Sequence, residues 1–326
     1  MGSRIVWLRS RKKAALERVY AGAHFVQVVT LVFNIPSFRP VRRDDFSRAG
    51  VFSQPMHTRT FELRRLHFIV SLFVFLISAS TIYAQQRPLL TEDPRLIPSG
   101  SLDMESGFGY ENRAVYTLSN LEGDHVSLLT GGLHFGLGDR AEFQMTGTLY
   151  DFLQTSDGDW HSDFGDFALS TKMKMFSESR KVPIISFRPT VVLPNANQGS
   201  GLGLNTTRFF ASMLAGKTLG KVFVFGNAGI GILDKPTSAG AQDDVWTYGL
   251  AASVPISSRA NWVSEINGLQ NPRENPAPGS ETRRQVRTGL QIQAGGTRFD
   301  IGALAGLTDF DPKYGVVLGM TTRFKK

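Results

Sequence analysis

The most regular pattern in this chain is an alternation of apolar and polar residues downstream of Gln85. Residues 283–294 show it clearly, because one set of alternate positions is apolar or Thr and the other set is polar or Gly. The first set is Val286, Thr288, Leu290, Ile292 and Ala294. A period of two residues is typical of a β-strand with one apolar face. The alternation recurs as far as Phe324, and no segment keeps a helical period over three turns, so the pattern predicts an all-β fold.

The alternating segments predict about 12 strands. They cover residues 101–116, 125–137, 140–152, 165–177, 183–193, 206–218, 221–233, 245–257, 259–271, 281–294, 297–308 and 313–324. Tight turns, as at Gly138-Asp139, alternate with longer polar loops, as at residues 154–164 and 194–205. An even strand count with short turns at one end and longer loops at the other is typical of an outer-membrane barrel. Closure of such a barrel also removes the open strand edges that lipid does not tolerate.

The composition of the strands decides which face meets lipid. The chain holds 33 Gly, many of them on the polar face of the alternating segments, whereas Gly weakens the strands of a soluble sandwich. A transmembrane barrel turns its apolar face outwards and keeps small and polar residues inside. We therefore predict an antiparallel transmembrane β-barrel over residues 101–326, located in the bacterial outer membrane. Residues 221–233 have apolar side chains on both faces, so the pattern does not orient that strand.

The segment before the barrel predicts export. Residues 56–84 contain Arg64-Arg65, the apolar run 68–77 and small residues ending at Ala84, which is typical of a cleaved secretory signal peptide. A retained membrane helix is the alternative, but it needs roughly 20 apolar residues. Because a signal peptide normally begins a protein, we interpret residues 1–55 as a non-native or disordered extension before Met56. Residues 85–100 are predicted to form a periplasmic segment ahead of the barrel.

Charge and cysteine content exclude several classes of function. The net charge of +8 is confined to the leader, since residues 1–84 hold 13 Lys and Arg against 4 Asp and Glu. Residues 85–326 hold 23 basic and 24 acidic residues, so no nucleic-acid partner is predicted. The chain has no Cys, which excludes disulfides and thiolate metal sites.

Several short motifs resemble a known family. They are Thr91-Glu92-Asp93-Pro94, Gly100 to Glu105, Phe164 to Leu169, Leu193-Pro194 with Gly201-Leu202-Gly203, Trp262 to Glu265, and Gly319 to Phe324. The chain resembles the outer-membrane transporter family named after the MetA pathway of phenol degradation, over nearly all of residues 85–326. This resemblance implies a barrel that moves small, hydrophobic or aromatic compounds. Outer-membrane strands commonly finish on a terminal aromatic residue, and here Lys325-Lys326 follow Phe324.

Charged side chains on the inward face are the candidate pore-lining residues. They are Glu105, Glu142, Lys172, Arg188, Arg208, Glu265, Arg287, Asp300 and Arg323. Opposed charges in a lumen can set ion or substrate preference. They can also pair only to satisfy one another in a narrow interior, and the sequence leaves both readings open. The predicted partners are the lipid bilayer, a small solute and the outer-membrane assembly machinery, with no cofactor.

Two other classes of function stay open. A barrel-embedded lipid hydrolase needs a Ser and a His within hydrogen-bond reach, and His125 with Ser127 is the nearest such pair, but no nucleophile motif surrounds it. A structural or adhesive barrel would have a lumen blocked by side chains. We favour a non-enzymatic channel acting by passive diffusion.

Overall fold

A computed structural model describes residues 87–325. The predicted extension, residues 1–55, and the predicted signal peptide, residues 56–84, lie outside the described residues. Thirteen strands form within the described part: β1 Leu102–Tyr116, β2 Leu121–Gly136, β3 Ala141–Thr155, β4 Trp160–Asp163, β5 Phe167–Phe176, β6 Ile184–Leu193, β7 Arg208–Leu219, β8 Val222–Asp234, β9 Gln242–Pro255, β10 Ala260–Gln270, β11 Arg283–Ala294, β12 Thr297–Gly306 and β13 Tyr314–Phe324. No helix among these residues has the length and apolarity that crossing a membrane requires.

Every strand pairs antiparallel with its neighbours, and the sheet closes on itself. β1 pairs with both β2 and β13, and β2 pairs with β3. The first and last strands of the sheet are therefore neighbours. β4 and β5 share one position in the ring, since β3 pairs with β5 through Ala141–Gly147 and with β4 through Asp151–Gln154. The ring therefore has 12 strand positions. The predicted all-β barrel of about 12 strands is confirmed.

The two faces of the ring differ as the alternation predicts. On β13, Val316, Leu318 and Met320 are exposed, whereas Thr321 and Arg323 are buried. In water this arrangement would be unfavourable, because it exposes apolar area and buries charge. In a bilayer the apolar face contacts lipid and the polar face is enclosed by the barrel.

One predicted loop is partly a strand. Residues 154–164 were predicted as a polar connection, but Trp160–Asp163 pairs with β3 as β4. The β1–β2 connection is also shorter than predicted, because β2 starts at Leu121 rather than residue 125. Asp124, expected in that loop, accepts hydrogen bonds from Tyr110 Oη at 3.0 Å and Asn112 Nδ2 at 2.8 Å on β1. These cross-strand bonds extend the hairpin beyond the apolar alternation.

Candidate functional site

Residues 87–97 run through the interior of the barrel, and we call this segment the strap. At its start, Arg87 donates a hydrogen bond to Thr130 O on β2. Farther along, Ser186 Oγ on β6 donates to Pro94 O at 2.7 Å. The prediction of residues 85–100 as a periplasmic segment missed these contacts, because the strap is held by inward-facing side chains of strands far along the chain. The strap narrows the lumen from within.

Carboxylates of the barrel wall accept hydrogen bonds from backbone N–H groups of the strap. Glu265 on β10 accepts from Leu90 N at 2.8 Å and from Thr91 N at 2.7 Å. Glu142 on β3 accepts from Ile97 N at 2.9 Å. A buried backbone N–H without a partner would cost free energy comparable to a lost hydrogen bond. Each of these wall carboxylates therefore fixes one part of the strap.

A buried charge cluster joins the strap to β3, β5 and β6. Lys172 Nζ lies 2.9 Å from Glu92 Oε1 and 3.6 Å from Glu142 Oε1. Gln144 Nε2 donates to the same two carboxylates at 2.9 and 2.7 Å, and Gln144 Oε1 accepts from Arg188 Nε at 2.8 Å. Glu92 is buried, and its charge is compensated by Lys172 and by Arg188, whose Nε atom lies 3.8 Å from Glu92 Oε2. The lysine is shared by one strap carboxylate and one wall carboxylate.

Apolar residues of the wall pack on the strap beside this cluster. Leu89 of the strap belongs to one buried cluster with Ile184, Phe223, Phe225, Ala251 and Val263. Phe223 and Phe225 stack at 5.4 Å between ring centroids, and the Arg95 guanidinium lies 4.0 Å above the Phe223 ring. This packing explains why β8 is apolar on both faces. The sequence pattern alone could not orient this strand for that reason. Its inner face meets the strap and its outer face meets lipid.

The other predicted pore-lining residues also pair inside the ring. Arg323 Nε donates to Asp103 Oδ1 at 2.6 Å, Arg298 Nε lies 2.7 Å from Asp300 Oδ1, and Arg208 Nη2 lies 2.6 Å from Asp166 Oδ2. Glu105 lies 3.7 Å from His134 Nε2, and Arg287 Nε lies 3.8 Å from Glu265 Oε1. The structure therefore groups all nine predicted residues into ion pairs or hydrogen bonds. Their role in lining a conducting pore stays a prediction.

His125 does not form a hydrolase site with Ser127. The His125 ring is held by carboxylates on both sides, with Nε2 3.0 Å from Asp151 Oδ1 and Nδ1 3.4 Å from Glu111 Oε2. A general base needs one ring nitrogen facing the nucleophile. Both nitrogens are engaged here, so this arrangement does not activate Ser127. Among the described residues, no group of three or more His, Asp or Glu side chains could hold a metal ion.

Connections at the end with the longer loops bridge over the mouth of the barrel. Ser119 Oγ in the β1–β2 turn donates to Gly201 O in the β6–β7 loop at 2.7 Å. Gly279 N in the β10–β11 loop donates to Thr117 Oγ1 at 3.1 Å. These contacts link three sectors of the ring that are not adjacent in the sheet. They reduce the opening at this end of the barrel.

Cavities of about 570, 400 and 380 Å³ border the strap, and the last lies between residues 95–99 and the β2–β3 turn. The first opens towards the tight-turn end and is lined by strap residue Arg95 together with the ends of β7–β12. The second, of about 400 Å³, lies towards the long-loop end and is lined by strap residues 87–90 and by wall residues that include His125 and Arg287. The strap contributes to the walls of all three. The lumen is thus partly filled, with room for small molecules at each end.

A closed antiparallel barrel with an apolar outer face and charged inner face defines a bacterial outer-membrane β-barrel. Neither a protein-family model nor a curated protein matches the chain. Among solved structures, an outer membrane channel from Pseudomonas putida F1 aligns with a TM-score of 0.55 and 16% sequence identity, over 71% of this chain and 98% of that one. This likeness supports the barrel fold.

Two further structures align less closely. The NanC porin gives a TM-score of 0.41 and 9% identity, over 68% of this chain and 98% of that chain. The translocator domain of the autotransporter NalP from Neisseria meningitidis gives a TM-score of 0.41 and 11% identity, over 82% of this chain and 96% of that chain.

Proposed function

We propose that the protein is an outer-membrane channel that passes small compounds by passive diffusion. The observation that carries this proposal is the interior of the closed barrel, where charged and polar walls enclose cavities of about 570 and 400 Å³ on either side of the strap. Cavities of this size suit molecules of metabolite dimensions. The fold similarity to the outer membrane channel of Pseudomonas putida F1 is consistent with this role.

The compounds we propose are small and hydrophobic or aromatic. Apolar side chains inside the barrel support this choice, since Leu89, Phe223, Phe225 and Val263 form a buried cluster in an otherwise polar interior and Phe223 also lines the cavity of about 570 Å³. The resemblance to the phenol-degradation transporter family points to the same solutes. Its Thr91-Glu92-Asp93-Pro94 motif lies in the strap, where Glu92 pairs with Lys172 and Pro94 O accepts from Ser186.

We further propose that the tight turns face the periplasm. The start of β1 and the end of β13 lie at that end of the barrel, since Leu102 pairs with Phe324. Short periplasmic turns and longer external loops are usual for such barrels. In this proposal residues 56–84 direct export, and the outer-membrane assembly machinery inserts the barrel into the lipid bilayer.

A structural barrel is the second candidate, and the filled lumen favours it. The strap, its ion pairs and the bridged long loops all reduce the open cross-section. The two candidates differ in one observable property. A channel passes solutes through the folded barrel, whereas a structural barrel does not.

Solute uptake into liposomes tests the proposal. We expect liposomes containing the folded protein to admit a zwitterionic aromatic amino acid and a small sugar faster than protein-free liposomes, with rates proportional to the concentration gradient. A large oligosaccharide should stay excluded because the lumen is narrow. Liposomes prepared with the same protein after heat denaturation provide the control. Equal uptake with folded and denatured protein would support the structural barrel instead.

A further inference from the structure

The cavity at the tight-turn end has an unbalanced charge. Its wall includes the cationic side chains Arg95, Lys221, Arg259 and Arg298, while none of the described residues lining it is Asp or Glu. We call this cavity the vestibule. In a confined space with low-dielectric walls, charges of one sign raise the local concentration of the opposite ion. The wall therefore favours anions over cations and neutral molecules.

Two of these cations have no counter-ion in the described part of the chain. Arg95 pairs with Asp93, and Arg298 pairs with Asp300. In contrast, the side chains of Lys221 and Arg259 form no ion pair or hydrogen bond with any described residue. Both are exposed and lie in the turns after β7 and β9. Their charge is available to a bound molecule.

Arg298 supplies a second, independent indication. This side chain is only 3% exposed, yet its Nη1 atom has no hydrogen-bond partner. A buried guanidinium N–H without a partner is costly, because its desolvation is not compensated. Arg298 lines the vestibule, where a bound anion would offset part of this desolvation by charge attraction.

The vestibule also presents apolar surface beside the charges. The buried Phe223 ring and Pro255 contribute to its wall, and Arg95 covers one face of the ring. Ser253, Asn261 and Gln291 add neutral hydrogen-bonding groups. A site that combines cations, a ring face and a volume of about 570 Å³ suits a small molecule with one anionic and one apolar part.

We propose that the vestibule binds small organic anions, specifically carboxylates that carry an aromatic or aliphatic group. Lys221 and Arg259 attract the carboxylate, the Arg298 guanidinium adds positive charge to the wall, and Phe223 contacts the apolar group. This inference rests on the proposed function, because it names the class of solute that the channel would take. The protein would then select acids over their uncharged analogues at the tight-turn end.

Equilibrium binding to the detergent-solubilised protein tests the site independently of conduction. The protein is expressed as residues 1–326 and purified from outer membranes, and calorimetry compares phenylacetate, the isosteric phenylacetamide and acetate. We expect phenylacetate to bind more tightly than either analogue. The double variant Lys221→Gln, Arg259→Gln should weaken phenylacetate binding about tenfold, the equivalent of one charge-assisted hydrogen bond.

The control is Arg180→Gln, Lys181→Gln, which removes the same charge from an exposed turn at the same end but outside the vestibule. This variant should bind phenylacetate within twofold of the original protein. Equal binding of phenylacetate and phenylacetamide would overturn the proposal, as would equal weakening by the two double variants. If the protein binds phenylacetate as expected but admits no solute into liposomes, the anion-binding site is supported and the proposed channel function is contradicted.

Discussion

Deleting residues 87–97 is expected to raise single-channel conductance severalfold. The strap occupies part of the lumen cross-section, and its contacts extend from β2 to β10 and β6. Without it, the wall groups that it satisfies, such as Glu265 and Lys172, would face water and ions. The barrel itself should still close, because the strap contributes no strand to the ring. Heat-modifiable migration in electrophoresis verifies that the deleted variant is folded.

A tethered strap provides the matched control. A Cβ placed on Gly249 would meet the Thr91 side chain, so Thr91→Cys with Gly249→Cys brings two thiols within disulfide reach. The chain has no other Cys, so the pairing is unambiguous. The oxidised variant should conduct no more than the original protein. If the folded deletion variant conducts like the original protein, the strap does not limit ion flow.

Replacing Lys172 by Met should destabilise the barrel by about 3–5 kcal/mol, the usual cost of breaking a buried ion pair. Lys172 is fully buried and serves Glu92 at 2.9 Å and Glu142 at 3.6 Å. Met fills a similar volume, so the loss comes from two buried carboxylates that each lose one cation, while Arg188 stays 3.8 Å from Glu92 and His134 stays 3.4 Å from Glu142. Urea unfolding of the protein in detergent, followed by tryptophan fluorescence, measures the change.

Lys174→Met is the control for this experiment. Lys174 lies two residues away on β5, is half-buried and forms no side-chain ion pair with the described residues. Its substitution removes the same charge from the same strand and should alter the free energy of unfolding by less than about 1 kcal/mol. Similar losses in the two variants would show that the Lys172 cluster adds no specific stability.

The barrel could be predicted from sequence because its determinant is local. Each strand alternates along its own length, as in residues 283–294, and the wall needs no information from distant residues. Strand ends were less predictable. The β1–β2 hairpin continues past its apolar alternation, because Asp124 bonds to Tyr110 and Asn112 across the strands.

The strap could not be predicted because its determinants are distant in sequence. Thr91 N bonds to Glu265, 174 residues away, and Glu92 pairs with Lys172, 80 residues away. The segment has no apolar period, and its prolines give no helix or strand signal. One sequence feature does indicate a segment inside the barrel. β8 is apolar on both faces, which indicates that its inner face also packs against another part of the protein. Leu89 of the strap is that partner.

The charged residues predicted to line the pore lie on the inner face of the ring, their pore-lining role stays a prediction, and their partners in the strap were not predicted. The sequence left open whether Glu142 and Glu265 face a solute or pair with other charges inside the lumen. In the structure both accept hydrogen bonds from strap backbone N–H groups. Alternation gives the face of a side chain, whereas its partner depends on what crosses the lumen.

Single-channel recording in a planar bilayer tests the central claim most directly. The protein, expressed as residues 1–326 and purified from outer membranes, is inserted after heat-modifiable migration has shown that it is folded. If the protein is a channel, we expect discrete conductance steps. These steps should be small because the strap and the bridged loops narrow the lumen. Folded protein that gives no steps, either intact or without residues 87–97, would contradict the channel function and leave a structural barrel.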